Sequence, residues 1–289
     1  MREWAPNATD IFLIGNFSEW KENTKYRFSK LKNGVWELKL KTGEIKHLDL
    51  YKLSMHWNGG HGESIPAWGT RVVQDEKTYI FSAQVWSPSR PYKFKKKKFK
   101  PQISPLLIYE CHIGMAQEEE RIGSYNEFRE KILPRIAKDG YNAIQIMAIQ
   151  EHPYYGSFGY HVSSFFAPSS RFGTPDELKQ LIDEAHASGI AVIMDIVHSH
   201  AVKNEVEGLG RFDGSYNQFF YGDHRREHPA WDSLCFDYGK NEVIHFLLSN
   251  CKYWLEEFKF DGFRFDGVTS MLYYDHGLGK AFGSYNDYY

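Results

Sequence analysis

The hydrophobic period of this chain changes once, near residue 104, and that change limits the folds open to it. Before it, short apolar runs recur at period two: Ile11-Phe12-Leu13-Ile14, Val35 to Leu40 and Tyr79 to Trp86. Turn residues such as Lys32-Asn33-Gly34 separate them. That pattern predicts an all-β sandwich of about a hundred residues. After it, strands alternate with helices. Leu107-Ile108-Tyr109, Ala143 to Ile149, Ile190 to Val197 and Phe260 to Val268 read as strands. Ser124 with Glu127, and Thr174-Pro175 with Glu177, are capping-box signatures. Behind them, Phe128, Ile132 and Ile136, then Leu178, Leu181, Ile182 and Ala185, keep helical spacing. Gly140 and Gly189 close these helices, and a third covers about Val243 to Glu257. Strands alternating with helices mean parallel β in an α/β fold. The expected division is residues 1–103 as sandwich and 104–289 as the α/β part.

Between the two, residues 92–100 hold six lysines. They read as a solvated strand edge and linker, or as a polyanion-binding patch. The whole chain gives no such pull: 35 basic against 37 acidic residues leave a net charge of −2. Neither nucleic acid nor membrane is an expected partner, and no apolar run reaches the roughly 18 residues of a membrane helix. The three cysteines, Cys111, Cys235 and Cys251, show neither a disulfide framework nor zinc spacing, so a cytoplasmic protein is expected. Aromatic residues make up 17%, and six of the eight Trp fall in the first 86 residues. Rings fill cores and also stack on sugars; Trp20, Trp36 and Trp86 are expected in the sandwich core.

In parallel α/β folds ligands bind at the carboxyl ends of the strands. The third strand there ends Asp195-Ile196-Val197-His198-Ser199-His200, and the fourth is Phe263-Arg264-Phe265-Asp266-Gly267. Side chains alternate, so Arg264 and Asp266 share a face. An arginine beside a carboxylate keeps it ionised, and an ionised carboxylate at a strand end can attack an anomeric carbon. The pair can equally be structural. His198 and His200 admit a metal site or a histidine that donates to a sugar hydroxyl. The loop Glu151 to His161 is rich in Gly and aromatics, and Tyr160 could present a ring to a sugar.

Together these segments resemble the α-amylase superfamily (glycoside hydrolase family 13), and within it the eukaryotic-like branching enzymes. Asp195 to His200 resembles the family's first signature and Gly262 to Met271 its second. Glu151 to Tyr160 and Phe165 to Pro175 resemble the branching-type loop. Gly15 to Trp20 and Pro66 to Arg71 resemble a family-48 carbohydrate-binding module. The implied fold is a β-sandwich followed by the first half of a TIM (β/α)8 barrel. The resemblance implies Asp266 as nucleophile, Arg264 holding it ionised, Asp195 and His200 in the first signature with His200 on the sugar, and Tyr160 as a stacking platform. His161 stands where branching enzymes commonly carry Gln and amylases His. Ser199 replaces the amylase Asn, which argues against an amylase-type calcium site; no metal and no cofactor are expected.

The implied substrate is an α-1,4-glucan and the implied reaction transfer to a 6-hydroxyl, forming an α-1,6 branch. A non-catalytic glucan-binding protein and an α-glucan hydrolase are the alternatives. The family's general-acid glutamate, expected after a fifth strand, is absent from these 289 residues. The chain is therefore expected to be a truncated fragment, inactive alone.

Overall fold

Two antiparallel sheets arise from residues 2–84. The first orders β1 (Arg2–Trp4), β4 (Val35–Glu37) and β3 (Ser29–Lys30). The second orders β2 (Ala8–Gly15), β5 (Leu50–Trp57), β8 (Phe81–Gln84) and β7 (Val72–Gln74), with β6 (Gly60–Ser64) also on β5. The period-two residues behave as the alternation requires: Ile11, Leu13, Leu53, Met55 and Ala83 are buried between the sheets. The computed structural model describes all residues except 97, 102–104, 274, 280, 282, 288 and 289. The expected boundary at 103/104 lies outside the described residues.

Four parallel strands follow in sequential order: β9 (Ile108–Cys111), β10 (Ala143–Ile146), β13 (Ala191–Ile196) and β17 (Gly262–Phe265). Between β10 and β13 lies an antiparallel pair, β11 (Gln150–Glu151) with β12 (Ser164–Pro168). After β13 comes a small sheet of β14 (His200–Val202), β15 (Glu227–His228) and β16 (Ser233–Cys235). Both capping boxes form, at Ser124 and Thr174. The first helix departs from its expected regular course. It runs as α1 (Tyr125–Glu127), a wide π turn (Phe128–Ile132) and α2 (Leu133–Lys138). Pro134 cannot donate to residue 130 and its ring crowds that carbonyl, so the turn widens there. The longer helices α3 (Pro175–Ala187) and α4 (Asn241–Glu257) cover one face of the sheet, and α5 (Val268–Leu272) follows β17.

The sandwich does not hang on a tether. Its core is continuous with buried residues of the α/β part, including Phe166, Phe219 and Phe246. Trp68 packs on Phe166 and Phe246 at ring separations of 4.8 and 5.3 Å. Asn7 binds Asp213 through its backbone N–H (2.9 Å) and side-chain amide (3.0 Å), and Arg71 donates to Gly173 O at 2.6 Å. Gly214, at φ +84°, lies under the Trp57 ring, where a Cβ would come within 2.1 Å of it. Most of the early tryptophans thus serve this seam. Trp36 is core as expected, Trp86 reaches across to Asp176, and Trp20 contradicts the core expectation: it is 40% exposed. Trp20 follows the tight 310 turn Asn16–Ser18 at a positive φ of 58°, which turns it out of the sheet.

Glu3 is buried in the same seam, and neither carboxylate oxygen reaches solvent. Burial raises its pKa from 4.5 to about 8, against the weaker pull of the Ala67 and Trp68 N–H groups. A carboxyl with a raised folded pKa adds stability below its unfolded pKa and loses it as pH rises through the folded value. Glu3→Gln should therefore gain stability over the parent between pH 4.5 and 8, by on the order of a few kcal/mol at the upper end. Urea midpoints of both proteins across that range measure it; parallel pH profiles would contradict it.

Candidate active site

The pleat of the parallel sheet sorts its side chains into two sets. Ile144, Ile146, Val192, Met194 and Ile196 pack with the helices. On the opposite face, Glu110, Gln145, Asp195, Arg264 and Asp266 gather. Asp195 and Arg264 are register partners on adjacent strands, and Arg264 and Asp266 are two apart on one chain path. The Arg264 guanidinium meets both carboxylates through one nitrogen, Nη1, at 2.7 Å from Asp266 Oδ1 and 3.4 Å from Asp195 Oδ2. Burial opposes the charge on Arg264, but Asp195 and Asp266 outweigh it and raise its pKa.

Asp195 has no solvent contact. Burial pushes its carboxyl above the usual range, although the Tyr160 hydroxyl and Arg264 pull the other way. Tyr160 donates to Asp195 Oδ2 at 2.7 Å, and burial together with that bond raises the phenol pKa. Tyr160 is placed by the loop turn at Gly159 (φ +91°), where any Cβ would come within 1.9 Å of Ala148 O. Its hydroxyl is thus engaged as firmly as a ring alone would not require.

The other expected residues assemble around this pair. His200 donates from Nε2 to Tyr160 O (2.9 Å), and Ser199 donates to its Nδ1 (2.8 Å). Burial lowers its pKa to about 4, so the ring is neutral at pH 7. Both His200 nitrogens thus take hydrogen bonds within the chain in this arrangement. His161 donates from Nε2 to Trp231 O at 3.2 Å and stands 6.3 Å from the His200 ring. His198 points elsewhere, to Asn250 Oδ1 of α4 at 2.9 Å, so the two histidines do not form a ligand pair. Among the described residues no group of three or more His, Cys, Asp or Glu could hold a metal ion. Glu151 is spent structurally, on Ser169, Ser170 and Arg171.

Two participants escaped the sequence reading. Gln145 interrupts an otherwise apolar strand, a signal that was available. Trp231 carries none; it stacks on His228 at 3.9 Å and walls the turn at Gly267. Gly267, at φ +63°, starts α5 directly after Asp266, where a Cβ would come within 2.6 Å of Ser199 Oγ and 2.8 Å of the Trp231 ring.

Comparison with known proteins gives the fold its family. The model described as "Carbohydrate-binding module 48 (Isoamylase N-terminal domain)" covers residues 1–75, and "Alpha amylase, catalytic domain" covers residues 118–235. A sandwich module joined to the opening strands of an amylase-type barrel is the class that fold and site define, and the chain belongs to the α-amylase superfamily. Within it, the chain is 49% identical over 297 residues to the 1,4-alpha-glucan-branching enzyme of Yarrowia lipolytica and 49% over 295 residues to branching enzyme 2-2 (chloroplastic/amyloplastic) of Arabidopsis thaliana. All of the chain aligns in both cases, yet it spans only 43% and 36% of those proteins. Pullulanase from Paenibacillus barengoltzii, solved with maltohexaose and α-cyclodextrin, shares the fold at a TM-score of 0.77 and 18% identity, over 93% of this chain and 47% of its own. GBS pullulanase SAP, solved with maltotetraose, gives 0.75 and 21%, over 92% and 40%.

The site's rigidity is measurable without any substrate. Gly267→Ala should cost at least about 2 kcal/mol of stability, from the left-handed backbone and the two close contacts. Tyr160→Phe should cost about 1.5–3 kcal/mol, because it removes a hydrogen bond to a buried carboxylate. Denaturant titration of the 289-residue chain measures both; a neutral Tyr160→Phe would mean that only the ring matters.

Proposed function

We propose that this chain is the nucleophile-bearing part of a 1,4-alpha-glucan branching enzyme of glycogen biosynthesis. The observation that carries the reading is the state of Asp266. Arg264 fixes its Oδ1, while Oδ2 takes no hydrogen bond among the described residues and is the free oxygen of an oriented carboxylate. Such an oxygen attacks the anomeric carbon of an α-1,4 linkage; the bond to the leaving 4-oxygen breaks, and that oxygen takes a proton from a general acid. A 6-hydroxyl of a second chain then displaces Asp266, losing its proton, and an α-1,6 branch forms with retention. Asp195, Arg264 and Tyr160 orient the nucleophile; His161 and His200 shape its surroundings.

The chain alone should not turn over glucan. Retention needs a second carboxyl group about 5–5.5 Å from the nucleophile. The other acids on this face do not fit: Asp195 is buried under Tyr160 and Arg264, and Glu110 stands on β9, three strands from β17 or about 14 Å across the sheet. The free cysteines favour the cytoplasm. A hydrolase on the same scaffold would release reducing ends instead of branches.

A second reading, glucan holding by the module, is favoured by one feature. A cavity of about 500 Å³ opens at the seam, lined by Trp4, Trp68, Phe219, Glu242 and His245. Ring faces beside polar groups suit a sugar chain. The two readings are compatible.

In the full-length enzyme, Asp266→Asn should lower branch formation by more than about a thousandfold and leave glucan affinity within about threefold. Linkage analysis of products and glucan binding measure the two. Retained branching above a few per cent would remove Asp266 from the nucleophile role.

A further inference from the structure

Among its described residues the lysine-rich segment forms no strand. Its described residues lie across α3, where Asp183 accepts from the Tyr92 hydroxyl and the backbone N–H groups of Lys95 and Lys96, all at 2.7–2.8 Å. This anchor uses backbone and a phenol and leaves the ammonium groups free. Lys96, Lys98 and Lys100 then meet Lys259, which follows α4, around a groove of about 570 Å³. Among the described residues none of these four lysines makes an ion pair. The groove's floor is apolar, with Phe94, Phe99 and Leu255. Phe99 is itself fixed, stacked on His186 at 4.2 Å and 10°. His186 in turn donates to Asp261 Oδ2 at 2.9 Å.

Part of this charge has a local use. The carboxyl ends of α3 and α4 approach the groove, each worth about half a negative charge, and Asp261 adds one. Four ammonium groups exceed that sum by about two charges. The volume is that of a small-molecule site rather than of a lone ion. The lysines converge on one cavity instead of forming a stripe, which disfavours an extended polyanion. We propose that this groove binds a small organic phosphate, with its phosphate oxygens on Lys96, Lys98, Lys100 and Lys259 and its organic body on Phe94 and Leu255. It lies at the amino ends of the parallel strands. Asp261 precedes β17 and Asp266 follows it, so roughly 17 Å separates the groove from the nucleophile. Occupancy therefore leaves the catalytic face open.

The test is calorimetric titration of the 289-residue chain with glucose 6-phosphate, glucose and inorganic phosphate. Glucose 6-phosphate should bind, weaken as salt rises, and lose at least about tenfold in affinity in Lys98→Glu/Lys259→Glu. Lys32→Glu/Lys41→Glu, with the same net charge but both changes on the sandwich, should bind like the parent. The proposal is overturned if glucose 6-phosphate does not bind at millimolar concentration or if glucose or inorganic phosphate binds as tightly. Equal loss in both double variants, or none in the first, overturns it as well. Since the groove variants leave Asp266 untouched, failure here is separable from failure of the branching assignment.

Discussion

A carboxylate without solvent contact has to be answered by the groups around it, and in this molecule that carboxylate is Asp195. Removing a charge from water costs several kcal/mol even after relaxation. Here the offset comes from Tyr160 on one side and Arg264 on the other, the latter brought alongside by the parallel register of β13 and β17. Each answer has a consequence. Holding Arg264 against Asp195 directs the same guanidinium nitrogen onto Asp266. Holding Tyr160 by its hydroxyl fixes its carbonyl, which receives His200; His200 receives Ser199, and Ser199 closes on Gly267. Asp266, the proposed nucleophile, is thereby positioned from both sides by groups that answer to one buried charge. This is preorganisation of the kind that lets a carboxylate act without first rearranging its surroundings.

The sandwich is part of the same construction. Its core runs without interruption into the aromatic cluster of Phe166, Phe219 and Phe246, and Trp57 rests on a glycine of the connection between β13 and α4. An interface of that kind does not permit free relative motion of the two parts. The tryptophan density of the first 86 residues is therefore chiefly a requirement of this seam. Where Trp4 and Trp68 line the cavity, the same aromatic surface remains available to a ligand.

The sequence made the architecture readable wherever a local rule governs. Period-two runs became the sandwich, both capping boxes formed, and the alternation of Arg264 and Asp266 placed them on one face. What stayed hidden depends on long-range approach. The spacing of residues 200–240 does not show that β14, β15 and β16 form a sheet, because each strand is two or three residues long. Nothing at Trp231 announces that it walls Gly267. Tyr160 was legible as an aromatic in a loop but not as a donor, since its acceptor is 35 positions away. His200 was readable as a candidate residue, whereas the hydrogen bonds of its two nitrogens were not. The lysine run was visible at once, and its anchoring on Asp183 was not.

The most direct test of the account is to trap the covalent intermediate. Full-length enzyme is reacted with a 5-fluoro-α-glucosyl fluoride, whose electron-poor ring slows release of the glycosyl group from the carboxylate, and the modified peptide is identified by mass spectrometry. One glycosyl adduct per chain is expected, on Asp266, and none in Asp266→Asn. An adduct on Asp195 or on another carboxylate, with Asp266 unmodified, would contradict it.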